Sequence, residues 1–278
     1  MATLKTSVMK RSLSLTVALT SICAGLYAIG CSLTMYIPSP WGAGQFRPAV
    51  IIPALFAVVS GPFPAGIGAA LGTLIADSVK YGRLYEGSLF AAVPGNFLGF
   101  YLFGYMVRKF TWGRFVLASN VTLTLANFVT AALYVLVFKI FYLGDPKYLA
   151  FSSEALVTYI IGLTIWWFVT MLPFVLLVTP LLIKAVAAAF PSIIPADVYT
   201  HSLKEEVPQR IFSIALLVPG VVMLSIGLLL TFTFMGSQMI AFFGGTVAAL
   251  VQAMFYVSGG VLAALGLLVR ARNIMKGN

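Results

Sequence analysis

The chain has 278 residues, of which 61% are hydrophobic and 9% are charged, and its formal net charge is +10. So few charged residues cannot cover the surface of a water-soluble domain, which excludes the soluble classes of protein. The apolar runs are continuous rather than alternating, which favours membrane-spanning helices over a β-barrel. We therefore predict an all-α, polytopic helical membrane protein.

The first predicted span covers about residues 13–37. Its apolar run is longer than that of a signal peptide and is followed by no obvious cleavage site, so we predict a retained span. Small residues recur on it every four positions, at Thr20, Ala24, Ala28 and Ser32. Such a row lets another helix approach closely, either within this chain or in a partner protein.

A short helical pair comes next, and the predicted site is organised around it. Residues 38–47 form a loop rich in Pro and Gly, which is too irregular for lipid and suited to folding over a cavity. The second span, about 48–60, reaches only ~20 Å at ~1.5 Å per residue and is short for a bilayer. The third span, about 63–79, follows a Gly-Pro turn and carries rows of small residues for close helix contact.

Longer apolar segments make up most of the remaining chain. A charged linker at 191–210 separates a first module, residues 10–190, from an additional two-helix hairpin at 211–270. In total we predict about eight membrane spans. The five predicted spans after the short pair are 88–107, 115–142, 155–190, 211–234 and 239–269.

The distribution of basic residues predicts the orientation. If the N-terminus is inside, twelve of the 17 Lys and Arg residues are cytoplasmic. The external set is Arg47, Lys80, Arg83, Lys139 and Lys147. Because basic residues concentrate on the cytoplasmic side of membrane proteins, both termini are predicted to be cytoplasmic, at the cell membrane. The positive net charge then reflects topology and contact with anionic lipid, and we predict no nucleic-acid partner.

This topology brings several polar groups to the outer side of the protein. The amides of Asn96 and Asn127 would lie ~12 Å and ~20 Å below the outer ends of their spans, where they need hydrogen-bond partners. We predict one outward-facing pocket for a polar small molecule, although Asn127 could instead bond a neighbouring helix. The predicted substrate-binding residues are Gln45, Arg47, Asp77, Glu86, Asn96, Asn127 and Trp166.

Two of these positions have a structural alternative that the sequence leaves open. Asp77 could form an interfacial ion pair with Lys80 or Arg83, although a carboxylate in a membrane helix is functional by default. Trp166 and Trp167 could pack in the core or face lipid, and only one of these adjacent residues can face the pocket.

The sequence contains no recognisable catalytic motif. It has no GxxxxGK[ST], HExxH or GxSxG run and a single histidine, so ATP hydrolysis, zinc proteolysis and triad chemistry lack their residues. Two inverted halves with matching broken helices, which are typical of self-sufficient transporters, are also missing. We therefore predict a protein without catalytic residues, metal or cofactor. If it moves a solute, another protein supplies the energy.

Part of the sequence resembles the membrane-embedded substrate-binding subunit, or S component, of energy-coupling-factor transporters. The resemblance is carried by RPAVIIPALF at 47–56, SGP at 60–62, GIGAALG at 66–72 and IAD at 75–77. It covers about residues 10–190 and implies a six-helix module whose first loop covers an outward-facing vitamin site. The chain departs from the family after Pro191, because the linker and the extra hairpin have no counterpart in that module.

The resemblance also implies a function and partners. A small water-soluble vitamin or precursor would be captured from outside, and a transmembrane coupling subunit with two ATPase subunits would drive its uptake. The run AGLYA at 24–28 is similar to the family's AxxxA contact for the coupling subunit. This makes the row on the first helix a predicted partner-binding surface.

Two other classes of function remain as alternatives. A membrane scaffold or sensory module would bind partner helices through the small-residue rows and transport nothing. A small membrane enzyme acting on lipid would need an acid and a base, for which Asp77 and Glu86 are the external candidates.

Overall fold

The computed structural model describes residues 12–40, 42–202 and 206–276, and within them the chain is helical without a β-strand. An isolated β-bridge joins Pro38 to Gln45. The helices are α1 Leu13–Thr34, α2 Ile51–Ser60, α3 Pro62–Tyr81, α4 Val93–Met106, α5 Trp112–Ala132, α6 Pro146–Leu149, α7 Ser153–Ala189, α8 Asp197–Thr200, α9 Gln209–Phe232, α10 Phe234–Phe243 and α11 Gly245–Lys276. The basic residues Lys5, Lys10, Arg11 and Lys204, which enter the orientation prediction, lie outside the described residues.

Long apolar helices confirm the prediction of a helical membrane protein. The described residues contain six helices that are long and apolar enough to cross a bilayer. They are Leu13–Thr34, Ser88–Met106, Trp112–Tyr142, Ser153–Ala189, Gln209–Phe232 and Gly245–Arg272. The second and third predicted spans are not among them. Pro48–Ser60 is shorter. Helix α3 is continuous, but it contains glycines and polar residues that lower its mean hydropathy.

Local sequence signals set where several helices begin. The side chains of Ser12, Thr111 and Ser152 each accept a hydrogen bond from a backbone N–H in the first turn of α1, α5 and α7. These caps satisfy N–H groups that have no partner inside the helix. Gly61, at φ 87°, separates α2 from α3, and Pro62 begins the new helix. This is the predicted turn of the short helical pair.

Glycines allow α1 and α3 to pack with their backbones close together. A Cβ atom on Gly72 would lie 2.7 Å from the carbonyl oxygen of Ala24, and one on Gly68 would lie 2.6 Å from Cys23 Sγ. Ala24 and Ala28 are therefore buried inside the chain, 5% and 7% exposed. In this structure the small-residue row of α1 packs internally, and only its ends, Thr20 and Ser32, stay half-buried.

The charged linker docks against the first module through hydrogen bonds between its side chains and backbone groups of that module. Asp197 Oδ2 accepts from the Phe110 N–H at 2.6 Å, and Glu206 Oε2 accepts from the Trp112 N–H at 2.6 Å. Tyr199 Oη donates to the Ala187 carbonyl at the end of α7 at 3.0 Å. The linker thus connects the start of α5 to the end of α7.

Helices α9 and α11 form the C-terminal pair. Close contacts join Gly220 to Gly259 and, further along, Gly227 to Tyr256, so the two helices are antiparallel. A Cβ atom on Gly259 would lie 2.9 Å from the Gly220 carbonyl oxygen. Helix α9 also contacts α7, which attaches the pair to the first module.

Candidate binding cavity

A cavity of about 180 Å³ lies where the first loop meets α1, α3, α4, α5 and α7. A single buried water needs only ~10–15 Å³ of such space, so this cavity can hold a larger molecule. Its lining includes Tyr27, Gln45, Arg47, Asp77, Lys80, Tyr81, Tyr85, Ser88, Asn96, Asn127, Thr130, Tyr134, Trp167 and Met171.

The structure brings together five of the seven predicted substrate-binding residues. They are Gln45, Arg47, Asp77, Asn96 and Asn127, which come from the first loop, α3, α4 and α5 and share one lining. These residues are far apart in the sequence. Their convergence follows from the packing of the helices that carry them.

Two predicted site residues lie elsewhere. Trp166 is fully buried, and the adjacent Trp167 lines the cavity in its place, because consecutive residues on a helix point about 100° apart. Glu86 lies in a neighbouring, more open depression of about 520 Å³, where its carboxylate pairs with Arg83 at 3.2 Å. The assignment of Trp166 and Glu86 to the cavity wall is therefore corrected.

A buried ion pair is part of the cavity wall. The Arg47 guanidinium donates to Asp77 Oδ1 and to Thr73 Oγ1, and Arg47 and Asp77 are only 9% and 5% exposed. Asp77 therefore pairs with Arg47. The ion-pair partners considered from the sequence were Lys80 and Arg83. Buried charges need both a counter-charge and further hydrogen bonds, and this pair has both.

Polar residues extend the ion pair toward the mouth of the cavity. Gln45 Nε2 donates to Asp77 Oδ1 at 3.3 Å, and Lys80 Nζ donates to Gln45 Oε1 at 2.8 Å. Lys80 is an exposed residue, although its ammonium group bonds to the buried Gln45. The network therefore runs from a buried guanidinium to an exposed lysine.

The first loop is held over the cavity by glycine conformations and by a tryptophan. Gly42 and Gly44 have φ of 76° and 75°, the left-handed region that favours glycine. Gly44 contacts the indole of Trp167, whose Nε1 donates to the Gln45 carbonyl at 3.3 Å. The predicted loop over the cavity is present, and α7 fixes its position.

Three buried polar groups on the cavity wall have no hydrogen-bond partner in the described chain. They are Tyr27 Oη, Asn127 Nδ2 and Ser88 Oγ, in residues that are 0%, 7% and 1% exposed. The alternative of an interhelical bond from the Asn127 amide nitrogen is not realised. An unpaired buried polar group costs about 1–3 kcal/mol, so these positions favour a bound molecule with matching groups. The Asn96 amide nitrogen, in contrast, donates to the Ala92 carbonyl at 2.9 Å.

No protein-family model matches this sequence, and no curated protein or solved structure matches it significantly. The function of the cavity is therefore inferred from the residues of the chain itself.

Aromatic residues form a wall that the sequence analysis did not assign to the site. The rings of Tyr81 and Tyr85 stack with centroids 4.0 Å apart, and Tyr85 meets Phe138 edge-on at 5.8 Å. Burial raises the pKa of Tyr85, with smaller contributions from neighbouring tyrosines, so its hydroxyl stays protonated. Helix spacing could have identified Tyr134, because Asn127, Thr130 and Tyr134 recur at i, i+3 and i+7 and all line the cavity.

Two π-helical segments border the same cavity. They are Ser88–Ala92, which precedes α4, and Leu133–Tyr142, which continues α5. Such segments are rare, and those that occur are often found at functional sites. Here they contribute Ser88 and Tyr134 to the cavity wall.

Proposed function

We propose that this protein is the substrate-binding membrane subunit of an ATP-driven uptake transporter, which captures a small water-soluble vitamin or a precursor from outside. The observation that carries this proposal is the cavity itself. One cavity lining contains a buried ion pair, the unpaired Asn127 amide and the unpaired Ser88 hydroxyl, beside aromatic rings. This combination is typical of a binding site for a polar organic molecule.

The proposed topology has about eight spans with both termini in the cytoplasm. Helices α2 and α3 would be short spans within the six-helix module, and the cavity would open to the outside. This orientation assigns five of the 17 Lys and Arg residues to the cavity end, namely Arg47, Lys80, Arg83, Lys139 and Lys147, and basic residues are sparse on the external side of membrane proteins.

The energy for uptake would come from a transmembrane coupling subunit and two ATPase subunits. Ala24 and Ala28 are buried, which limits the surface of α1 that such a subunit can contact. A partner helix could reach Thr20 and Ser32 at the edges of the row, but contact with the two alanines requires α1 and α3 to separate. Because the row already packs inside the chain, no observation favours the scaffold alternative over substrate capture.

The enzyme alternative also lacks a specific observation in its favour. Asp77 pairs with Arg47 inside the cavity, and Glu86 pairs with Arg83 in the neighbouring depression. The structure therefore does not bring the two carboxylates together as an acid and a base.

Native mass spectrometry of the full chain, extracted gently from the membranes of its own host, tests the proposal. We expect a small adduct of a few hundred daltons, or a coupling subunit and ATPases that travel with the chain. Asn127→Ala should lose the adduct. The control Asn120→Ala should keep it, because the Asn120 amide donates to the Val116 carbonyl of its own helix at 2.8 Å. A chain without adduct or transporter partners would contradict the proposal.

A further inference from the structure

The charges that line the cavity do not balance. Arg47 and Lys80 contribute two positive charges, and among the described lining residues Asp77 is the one carboxylate. Asp77 is already paired with Arg47. The cavity therefore has one excess positive charge, located on Lys80.

Two other cations at this end of the protein, Arg83 and Lys139, each have a carboxylate partner. Arg83 pairs with Glu86 at 3.2 Å, and Lys139 pairs with Asp145 at 3.1 Å. Within the described residues no carboxylate lies in salt-bridge distance of Lys80, whose ammonium group donates to Gln45 and lies 5.6 Å from the Tyr81 ring centroid. An ammonium group has three donors, so the bond to Gln45 leaves two for another acceptor.

The unpaired groups deeper in the cavity also favour an acceptor-rich molecule. Asn127 Nδ2 is a donor without an acceptor, and the Ser88 hydroxyl can donate as well. The aromatic side chains of Tyr81, Tyr85 and Trp167 complete the wall with apolar ring surface. An inorganic anion would leave that surface without contact, whereas an organic molecule can pack against it.

We propose that the cavity selects a small organic anion with one net negative charge, and that Lys80 is the residue that recognises this charge. The inference rests on the proposed function, since it names the chemical class of the captured substrate. The anionic group would bind at the mouth, beside Lys80 and Gln45. The organic part would lie deeper, against the rings and the Asn127 amide.

Thermal unfolding of the purified full chain in detergent tests this inference. The probes are two fractions of a small-molecule extract from host cells, one retained and one not retained by an anion-exchange resin at neutral pH, together with inorganic phosphate alone. We expect stabilisation by the retained fraction only. In Lys80→Gln the concentration of that fraction needed for half of the stabilisation should rise about tenfold or more, which corresponds to one lost charged hydrogen bond.

Arg83→Gln is the matched control, because it removes a positive charge at the same end but outside the cavity. This variant should respond to the retained fraction as the wild type does, and without added extract both variants should unfold within about 4 °C of the wild-type temperature, since each loses one exposed or half-buried polar contact worth about 1 kcal/mol or less. Equal or greater stabilisation by the unretained fraction, or by inorganic phosphate alone, would overturn the charge selection and leave substrate capture standing. Stabilisation by neither fraction would contradict substrate capture itself.

Discussion

The first module, which contains the cavity, and the C-terminal helix pair both use glycines for close helix contacts. They differ in which buried polar side chains form hydrogen bonds. In both, glycines bring backbones together: Gly72 lies against Ala24, and Gly259 lies against Gly220. In the C-terminal pair, however, polar side chains bond across the contact. Ser213 Oγ donates to the Gly266 carbonyl at 2.7 Å.

In the first module, buried polar atoms on the cavity wall lack a hydrogen-bond partner in the described chain. Asn127 Nδ2 and Ser88 Oγ are buried without a partner in the described chain, next to the buried pair of Arg47 and Asp77. Small residues are enough for close helix packing, whereas a binding site needs polar groups that the fold itself does not satisfy. The difference lies in where unpaired groups occur: Asn127 Nδ2 and Ser88 Oγ line the cavity, whereas Gln209 Oε1 at the start of α9, also buried without a partner among the described residues, lies outside its lining.

The largest expected effect comes from breaking the buried ion pair. Asp77→Ala should lower the free energy of unfolding by about 3–5 kcal/mol, because Arg47 is left buried without a counter-charge. Removing both charges in Arg47→Met with Asp77→Leu should recover most of that loss. Denaturant unfolding in detergent measures both variants.

The matched control for this prediction is the exposed pair of Arg83 and Glu86 at the same end of the protein. Glu86→Gln should cost about 0–1 kcal/mol, since exposed ion pairs contribute little. Similar losses in Asp77→Ala and Glu86→Gln would show that burial of the Arg47 pair does not matter.

A smaller effect is expected from closing the contact within the C-terminal pair. Gly259→Ala should lower the free energy of unfolding by about 1–3 kcal/mol, because its methyl group would lie 2.9 Å from the Gly220 carbonyl oxygen. Gly260→Ala is the control, since the space around that Cβ position is open. It should cause no loss, because alanine favours helix. Equal stabilities of the two variants would contradict the described contact.

The next prediction compares a satisfied polar group with an unsatisfied one on α5. Thr122 Oγ1 donates to the Gly99 carbonyl of α4 at 3.2 Å, so Thr122→Val should cost about 0.6 kcal/mol. Asn127→Leu should not lower the stability of the ligand-free protein, because Asn127 Nδ2 gives up no bond. Thermal unfolding of both variants checks this. A clear loss in Asn127→Leu alone would show that Asn127 has a structural role.

The smallest effect concerns a half-buried pair, in which Lys139 lies at the end of the long helix Trp112–Tyr142 and Asp145 follows that helix. The hydrogen bond from Lys139 is the largest of the causes that together lower the pKa of Asp145 below its ordinary value. A carboxylate with a lowered folded-state pKa contributes stability above about pH 4, and this is lost as the pH falls through the folded-state pKa. The difference in unfolding temperature between wild type and Asp145→Asn should therefore be small at pH 7 and vanish on acidification. A difference that grows at low pH would contradict this sign.

Much of the site could be predicted from sequence because charges and amides are rare in apolar helices. Arg47, Asp77, Asn96 and Asn127 stand out against hydrocarbon surroundings, and all four line the cavity. The aromatic wall could not be found in this way. Tyrosine and tryptophan are as common in cores and at membrane interfaces as in sites, so their type alone does not assign them.

The choice between alternatives also needed the fold. Trp166 and Trp167 are equivalent in sequence, and the rotation of α7 decides which of them reaches the loop. Likewise, Asp77 has several basic residues nearby in the chain, but the loop over the cavity brings Arg47, thirty residues earlier, to its carboxylate.

The sequence by itself determined the class of this protein, its long helices and the turn between α2 and α3, because hydropathy, capping residues and Gly-Pro pairs act locally. Only the tertiary structure decided which polar groups meet, which remain unpaired and that Ala24 and Ala28 pack inside the chain. Those outcomes depend on contacts between helices distant in sequence, and such contacts are set by the shapes of whole packed surfaces.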